Sequence, residues 1–472
     1  MKPLVLRPIQ EPMVDWAMDH KRCEIWAGMG SGKTSSMEFL IALLKLCGMV
    51  GNEPWLVLAP MRVARDTWPE DIARWSQFSN MRIMPLTGTP AQRKDKLRCK
   101  ADIFTISYEL APWLVDHWEA KWPYRNVIAD ESDRLKGFRE KRGGVKITSK
   151  NKSKKATRAH SIGRVCHNLT DRWINLTGTP CTNGLKDLWA PHWFIDRGAA
   201  LGRTHSAFMQ RWFKPKWSGF GVEPMPHSEA EIHAALRPSC ITIDPKDYYD
   251  LKDPIVVPIK IKLPERARKI YDALEKELFA TIGPDVDIEV FNQAALMNKC
   301  LQLANGAVYT EYPSWASVHD EKIEAIRSVL GEAGGMPVLL RYSFKSDLAR
   351  IKTAFPRAVE LATPQGMAAF RAGDAPIGLA HPKSLGHGID GLQNVTNILI
   401  RFGHGWNLGE EMQFLERIGP MRQLQAGLDR PVWVYEIIAE NTIEDEDVIP
   451  ANIMKKGVQD SLLYAMNRRH NA

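Results

Sequence analysis

The segment Ala27-Gly28-Met29-Gly30-Ser31-Gly32-Lys33-Thr34 constrains this chain more than any other, because alternate glycines ahead of a Lys-Thr pair suit very few local structures. Gly28, Gly30 and Gly32 allow successive backbone N–H groups to curl around an anion. Lys33 adds charge, and the Thr34 hydroxyl can ligate a divalent cation, while Met29 and Ser31 fill the variable positions. Such a loop needs a strand before it and a helix N-terminus after it, since the helix dipole favours negative charge. Both flanks fit. A short apolar run precedes it, and Met37, Leu40, Ile41 and Leu44 follow at i, i+3, i+4 and i+7, with Gly48 as a stop.

The same alternation runs down the chain. Apolar runs at Trp55 to Ala59, Ile103 to Ile106, Val127 to Ala129 and Trp173 to Leu176 end in polar or Gly/Pro residues and are separated by helical patterns. They predict buried parallel strands, hence a doubly wound α/β sheet. Runs return at Val338 to Tyr342, Ile377 to Ala380, Asn397 to Phe402 and Val432 to Ile438, predicting a second α/β domain. The expected organisation is an N-terminal lobe over 1–195, a mainly helical insertion and connector over 196–312, a second lobe over 313–445 and a tail over 446–472. In open α/β sheets ligands bind beyond the carboxyl ends of strands, so the residues after each run are where chemistry is sought.

Asp130-Glu131 stands at such a place, directly after Val127-Ile128-Ala129. Paired with the upstream loop, Asp130 would hold Mg²⁺ through water, and Glu131 would orient and deprotonate an attacking water. The pentapeptide Leu-Thr-Gly-Thr-Pro occurs twice, at 86–90 and 176–180. The first copy reads as a structural turn. Trp193, Phe194, Phe208, Trp212 and Phe213 read as core or packing residues rather than a base-stacking platform.

With 472 residues, 44% hydrophobic and 25% charged, the composition is that of a folded multidomain protein. No apolar run reaches the roughly 20 residues of a membrane span, and nothing at the N-terminus looks like a secretory signal, so a cytoplasmic location is expected. The seven cysteines are scattered without metal-ligand or redox spacing, and the thirteen histidines likewise suggest no second metal. Net charge is +8, and between Arg134 and Arg158 eleven Lys or Arg stand against one acid, Glu140. This reads as a basic surface loop suited to a polyanion, the alternative being a solvated loop without a partner.

Taken in order, these segments resemble the superfamily-two helicase ATPases, and within them the Snf-type DNA translocases. The resemblance implies two RecA-like lobes that close on ATP and Mg²⁺ and step along duplex DNA without sequence specificity. Arg7-Pro8-Ile9-Gln10 is similar to the adenine-reading segment, so Arg7 and Gln10 would contact the nucleotide, with Trp16 beneath it. Pro60 and Arg62 (followed by Trp68 and Trp75), then Ser107 and Tyr108, look like segments that touch the nucleic-acid backbone. Lys136, after the acidic box, and Thr177-Gly178 are assigned to the same surface, with Thr179 coupling the lobes. Lys299 to Gly306 and His319 to Lys322 resemble Snf-type landmarks of the second half. Ser384 to Gln393 resembles the fifth motif, with Gly386, His387 and Gly388 approaching the backbone and Asp390 facing the lobe interface.

In the sixth segment Gln413 and Arg417 keep the family spacing, but Pro420 stands where a second arginine is expected and Arg422 is the nearest substitute. An arginine there stabilises charge on the transferred phosphoryl group. Either the Gly419-Pro420 turn re-aims Arg422, or hydrolysis is slow. The resemblance therefore implies a DNA-dependent ATPase and translocase; a strand-separating DNA or RNA helicase and a slowly hydrolysing nucleotide-gated DNA clamp are the alternatives. The near absence of sequence beyond the two lobes resembles small Snf-type proteins of bacteria and their viruses.

Overall fold

The computed structural model describes residues 3–139, 158–215, 221–280, 290–310, 314–385 and 390–467. Within them each apolar run singled out above forms a strand. The chain folds as two units, one of residues Met1–Asp250 with Gly457–Ala472, the other of Leu251–Lys456.

In the first unit β1 (Arg22–Ala27), β2 (Trp55–Ala59), β3 (Ile83–Pro85), β4 (Ile103–Ser107), β5 (Asn126–Asp130) and β6 (Arg172–Thr177) precede a short hairpin of β7 (Phe213–Pro215) and β8 (Val222–Pro224). With β9 (Cys240–Ile243), the first six make a parallel sheet in the order β3-β4-β2-β5-β6-β1-β9. Successive residues of a strand face opposite sides, and both sides are apolar. Leu56 and Leu58 of β2 join one buried cluster, while Trp55, Val57 and Ala59 join the other. That double burial is why these strands read as unbroken apolar runs.

The second unit repeats the plan. It holds β10 (Ile255–Ile261), a hairpin of β11 (Ala307–Tyr309) and β12 (Trp315–Ser317), then β13 (Val338–Arg341), β14 (Val359–Glu360), β15 (Ile377–Ala380), β16 (Ile398–Arg401) and β17 (Trp433–Ala439). Its sheet is parallel in the order β10-β17-β16-β13-β15-β14, again with a core on each face.

Two expected boundaries are corrected. Residues 196–312 are not one helical insertion: β9 completes the first sheet, β10 opens the second, and the units divide between Asp250 and Leu251. Both strands are edge strands; β10 is largely exposed, and β9, although buried, is only four residues long. Nor is 446–472 a tail. Ile449–Asn467 is a helix whose Leu462 and Met466 are buried in the first unit's core.

Candidate active site

The glycine-rich loop leaves the buried end of β1 and enters helix Lys33–Leu46, whose Met37, Leu40, Ile41 and Leu44 are fully buried. The helix ends as its sequence requires: Gly48 is left-handed (φ +65°), its N–H donates to the Lys45 carbonyl, and Met49 N–H donates to that of Leu44. At the other end Gly30 (φ +77°) and Gly32 (φ +88°) take the left-handed conformation that glycine alone adopts without cost.

The loop is braced from outside and inside. Gln10, only 2% exposed, donates through Nε2 to the Gly32 carbonyl (3.1 Å) and Ser35 Oγ (2.9 Å). Its Oε1 accepts from Arg7 N (3.0 Å) and Nε (3.2 Å), and Arg7 Nη2 reaches the Gly30 carbonyl at 3.3 Å. Lys33 Nζ donates to the carbonyls of Ala27 (2.8 Å) and Gly28 (3.3 Å), and Ser31 Oγ to that of Gly28 (2.7 Å). Thr34 stands half-buried in the first helical turn. Arg7 and Gln10, expected from the resemblance to contact the nucleotide, are here joined to the loop itself.

Strand order brings the acids beside it. β6 lies between β1 and β5, pairing Trp26 with Thr177 and Asp130 with Leu176. Asp130 and Glu131 are 5% and 7% exposed. Glu131 is left-handed (φ +56°), an unusual conformation for a residue with a side chain and one that gathers at functional sites. Trp68 Nε1 donates to Asp130 Oδ2 (3.1 Å), and the Tyr108 hydroxyl donates to the Asp130 carbonyl (2.9 Å). Burial raises the Tyr108 phenol well above its ordinary pKa, and the neighbouring acids add to that, so it stays a neutral donor.

Several residues expected on a nucleic-acid surface are instead interior. Ser107 and Tyr108 are each 1% exposed and Thr177 is 3% exposed. Trp68, fully buried, likewise holds Asp130 rather than facing outward. A Cβ on Gly178 would stand 3.2 Å from the Ala27 carbonyl and 3.6 Å from Lys33 Nζ, so Gly178 is a wall of the glycine-rich loop. Pro60 is buried as well; Arg62 is exposed, and Lys136 is half-buried 3.4 Å from Thr182 Oγ1. Gly386, His387, Gly388 and most of the basic segment lie outside the described residues. Sequence reasoning missed Pro245, whose ring packs against Gly28; no sequence signal marks it.

Thr89 caps helix Pro90–Leu97 in a capping box with Gln92, so the first Leu-Thr-Gly-Thr-Pro copy is a structural turn. Trp193, Phe194, Phe208, Trp212 and Phe213 are all core.

Beneath the loop, Glu24 of β1 accepts from Trp26 Nε1 (2.8 Å) and Asn175 Nδ2 (3.0 Å). The ring of His192, itself buried, lies 3.5 Å from Glu24 and 3.4 Å from Asp196. Burial alone would lower its pKa, but the two carboxylates outweigh burial and raise it to about 9, so it is an imidazolium at neutral pH.

In the second unit, charges gather at the carboxyl ends of β13, β16 and β17. Lys322, fully buried, donates to both oxygens of Glu444 (2.8 and 2.7 Å), to Asn305 Oδ1 (2.9 Å) and to the Phe402 carbonyl (3.0 Å). Arg341 reaches Glu411 at 2.5 Å and Arg401 reaches it at 3.6 Å, which docks helix Leu408–Leu415 on the strand ends. That helix carries Gln413, half-buried, and Arg417 follows it, 8% exposed. A new helix, Pro420–Gln425, begins at the Gly419-Pro420 turn. Arg422 in it pairs with Asp390 Oδ1 at 3.1 Å. Thr179, the other expected coupling residue, is 1% exposed at the end of β6.

Residues 10–307 match the SNF2-related domain family. The chain is 41% identical over 478 residues to "Putative protein p41" of Acyrthosiphon pisum secondary endosymbiont phage 1, covering 99% of this chain and 100% of that protein. It is 27% identical over 229 residues to "Helicase SWR1" of Eremothecium gossypii, covering 44% of this chain and only 14% of that protein. Among solved structures, "Sulfolobus solfataricus SWI2/SNF2 ATPase core in complex with dsDNA" aligns with a TM-score of 0.44 at 19% identity, covering 99% of this chain and 97% of that one.

Proposed function

The chain belongs to the SNF2-related family, and from that premise we propose that it is a motor that hydrolyses ATP to translocate along duplex DNA, without reading its sequence. The observation that carries the reading is the convergence at one sheet edge of the glycine-rich loop after β1 and the acid pair after β5, with only β6 between them.

The residues present fit Mg-ATP. The left-handed glycines shape a cradle, and Ser107 Oγ, Ser132 Oγ and Thr179 Oγ1, at the ends of β4, β5 and β6, are buried without hydrogen-bond partners among the described residues. Unsatisfied hydroxyls in such a place suit a polar ligand. When bound, Mg-ATP supplies the phosphoanhydride and a divalent charge. In this reading the loop N–H groups and Lys33 hold phosphate oxygens, Thr34 and Asp130 are the candidate Mg²⁺ ligands, and Glu131 accepts a proton from the attacking water. Arg7 and Gln10 are the candidate adenine contacts, which Gln10 makes by exchanging one of its present bonds to the loop. Arg422, with Arg417 and Gln413 near it in sequence, is the candidate for answering transition-state charge.

The DNA part of the reading rests on the family, on relatives named as helicases, and on the exposed Arg62 and the basic Arg134 to Arg158 segment. Contacts to phosphate give affinity without sequence specificity. No helix among the described residues is long and apolar enough to cross a membrane. Displacement of a triplex-forming strand tests translocation. ATP-dependent displacement by the wild-type protein, lost in Lys33→Ala, is expected; an active ATPase that never displaces the strand contradicts translocation. Unwinding of a forked duplex would favour the strand-separating alternative.

A further inference from the structure

We propose that Asp390 and Gln423 are positioning residues for Arg422, and that the Gly419-Pro420 turn serves to seat this arginine on them. The inference rests on the reading of the chain as an ATPase in which Arg422 meets transition-state charge.

The turn changes what the chain presents. Helix Leu408–Leu415 stops, and Pro420, with no N–H to satisfy and φ already helical, starts a new helix at its first position. In that helix Arg422 and Gln423 are neighbours that point to different fates. Gln423 is 1% exposed. Its Nε2 donates to the carbonyls of Thr396 and Ile418, both at 3.0 Å, and its Oε1 accepts from Arg430 Nε at 2.8 Å. Arg422 keeps part of its side chain in solvent and meets Asp390.

The two anchors belong to one ring of contacts. Arg430 Nη2 donates to the Gln393 carbonyl at 2.5 Å, and Gln393 Nε2 donates to Asp390 Oδ1 at 2.9 Å. The same Asp390 oxygen accepts from Gly391 N at 2.8 Å and faces Arg422 Nη1 at 3.1 Å. The circuit thus runs Arg422, Asp390, Gln393, Arg430, Gln423 and back along the backbone to Arg422. A lone ion pair at the surface would do little, because a long side chain pays entropy to hold one geometry. Here the carboxylate is fixed by its own turn before the arginine arrives, and the helix carrying the arginine is fixed by a buried amide. An arginine set in advance loses less freedom when it acts, and a displacement of about 1 Å in such a group can cost up to about 100-fold in rate. The two-residue departure from family spacing is thereby absorbed: Arg422 is presented from a separate, side-chain-locked helix.

The test is steady-state ATPase kinetics with duplex DNA on the wild type, Asp390→Ala, Arg422→Ala and the double variant. Asp390 is 57% exposed in its side chain, so its variant is expected to fold, which thermal unfolding checks. Asp390→Ala is expected to lower kcat about tenfold with KM for ATP changed less than about twofold, and to have no further effect once Arg422 is already alanine. Gln423→Leu, its fold checked by thermal unfolding, should behave the same way. Equal losses from Asp390→Ala in both backgrounds would mean a merely structural role and overturn the inference. So would a rise in unstimulated hydrolysis, which would make Asp390 a restraint on Arg422. A wild type that does not hydrolyse ATP overturns the parent reading and this inference with it; an active wild type in which Arg422→Ala is harmless overturns only the role of Arg422 and what is built on it.

Discussion

In the proposed reading, the glycine-rich loop of the first unit and the Arg422 segment of the second each hold a cation ready for phosphate, and they differ in how that cation is held. The loop is made by backbone: φ angles open only to glycine, a helix N-terminus, and neighbouring strands in fixed register. Arg422 is made ready by side chains, a buried glutamine and a carboxylate brought from a turn some thirty residues earlier in the chain. Backbone solutions demand particular residues at fixed spacing. Side-chain solutions tolerate inserted residues provided the anchors move with them, which is why the two regions differ in how closely they keep the family pattern.

The comparison can be broken first at its strongest point. Glu131→Gln keeps the acceptor shape but not the base, so ATP binding should persist while turnover falls by about 10³-fold or more; unchanged turnover would remove the acid pair from the chemistry. Arg422→Ala should lower DNA-stimulated kcat by about 10³-fold. A loss much smaller than that would show that the side-chain solution does not match the backbone one.

A pH experiment asks whether the base of the loop is itself held by charge. His192 is raised from the ordinary 6.5 to about 9 between Glu24 and Asp196. A histidine raised on folding contributes stability that is complete below its unfolded pKa and is lost as pH rises through the folded one. Thermal unfolding of the wild type should therefore show stability declining from about pH 6.5 to pH 9, by roughly 1–3 kcal/mol, with a flatter profile in His192→Gln. Identical profiles would mean the imidazolium is absent. The smallest effect concerns Tyr108: Tyr108→Phe removes the donor to the Asp130 carbonyl and should cost about 1–2 kcal/mol of stability, together with a modest fall in kcat.

Much of the framework of the candidate site was legible in sequence because period and spacing encode it. Buried strands showed as apolar runs, helix Lys33–Leu46 as a 3.6-residue pattern, and the loop by its glycines. The edge strands β9 and β10 were not legible, since β9 is only four residues long and β10, with one neighbour and partial exposure, has no distinctive pattern. Nor were the true places of Ser107, Tyr108 and Thr177. Strand ends point both toward the surface and into the sheet layer, and only the three-dimensional register shows Tyr108 spending its hydroxyl on Asp130. Pro245 and the Asp390–Gln423 circuit join residues far apart in the chain, where a single sequence offers no spacing to read.

Steady-state ATP hydrolysis with and without duplex DNA, repeated as salt is raised, tests the central claim most directly. Hydrolysis should rise on adding DNA, lose that stimulation between roughly 50 and 200 mM salt as phosphate contacts are screened, and vanish in Glu131→Gln. A rate indifferent to DNA at every salt concentration would contradict the account.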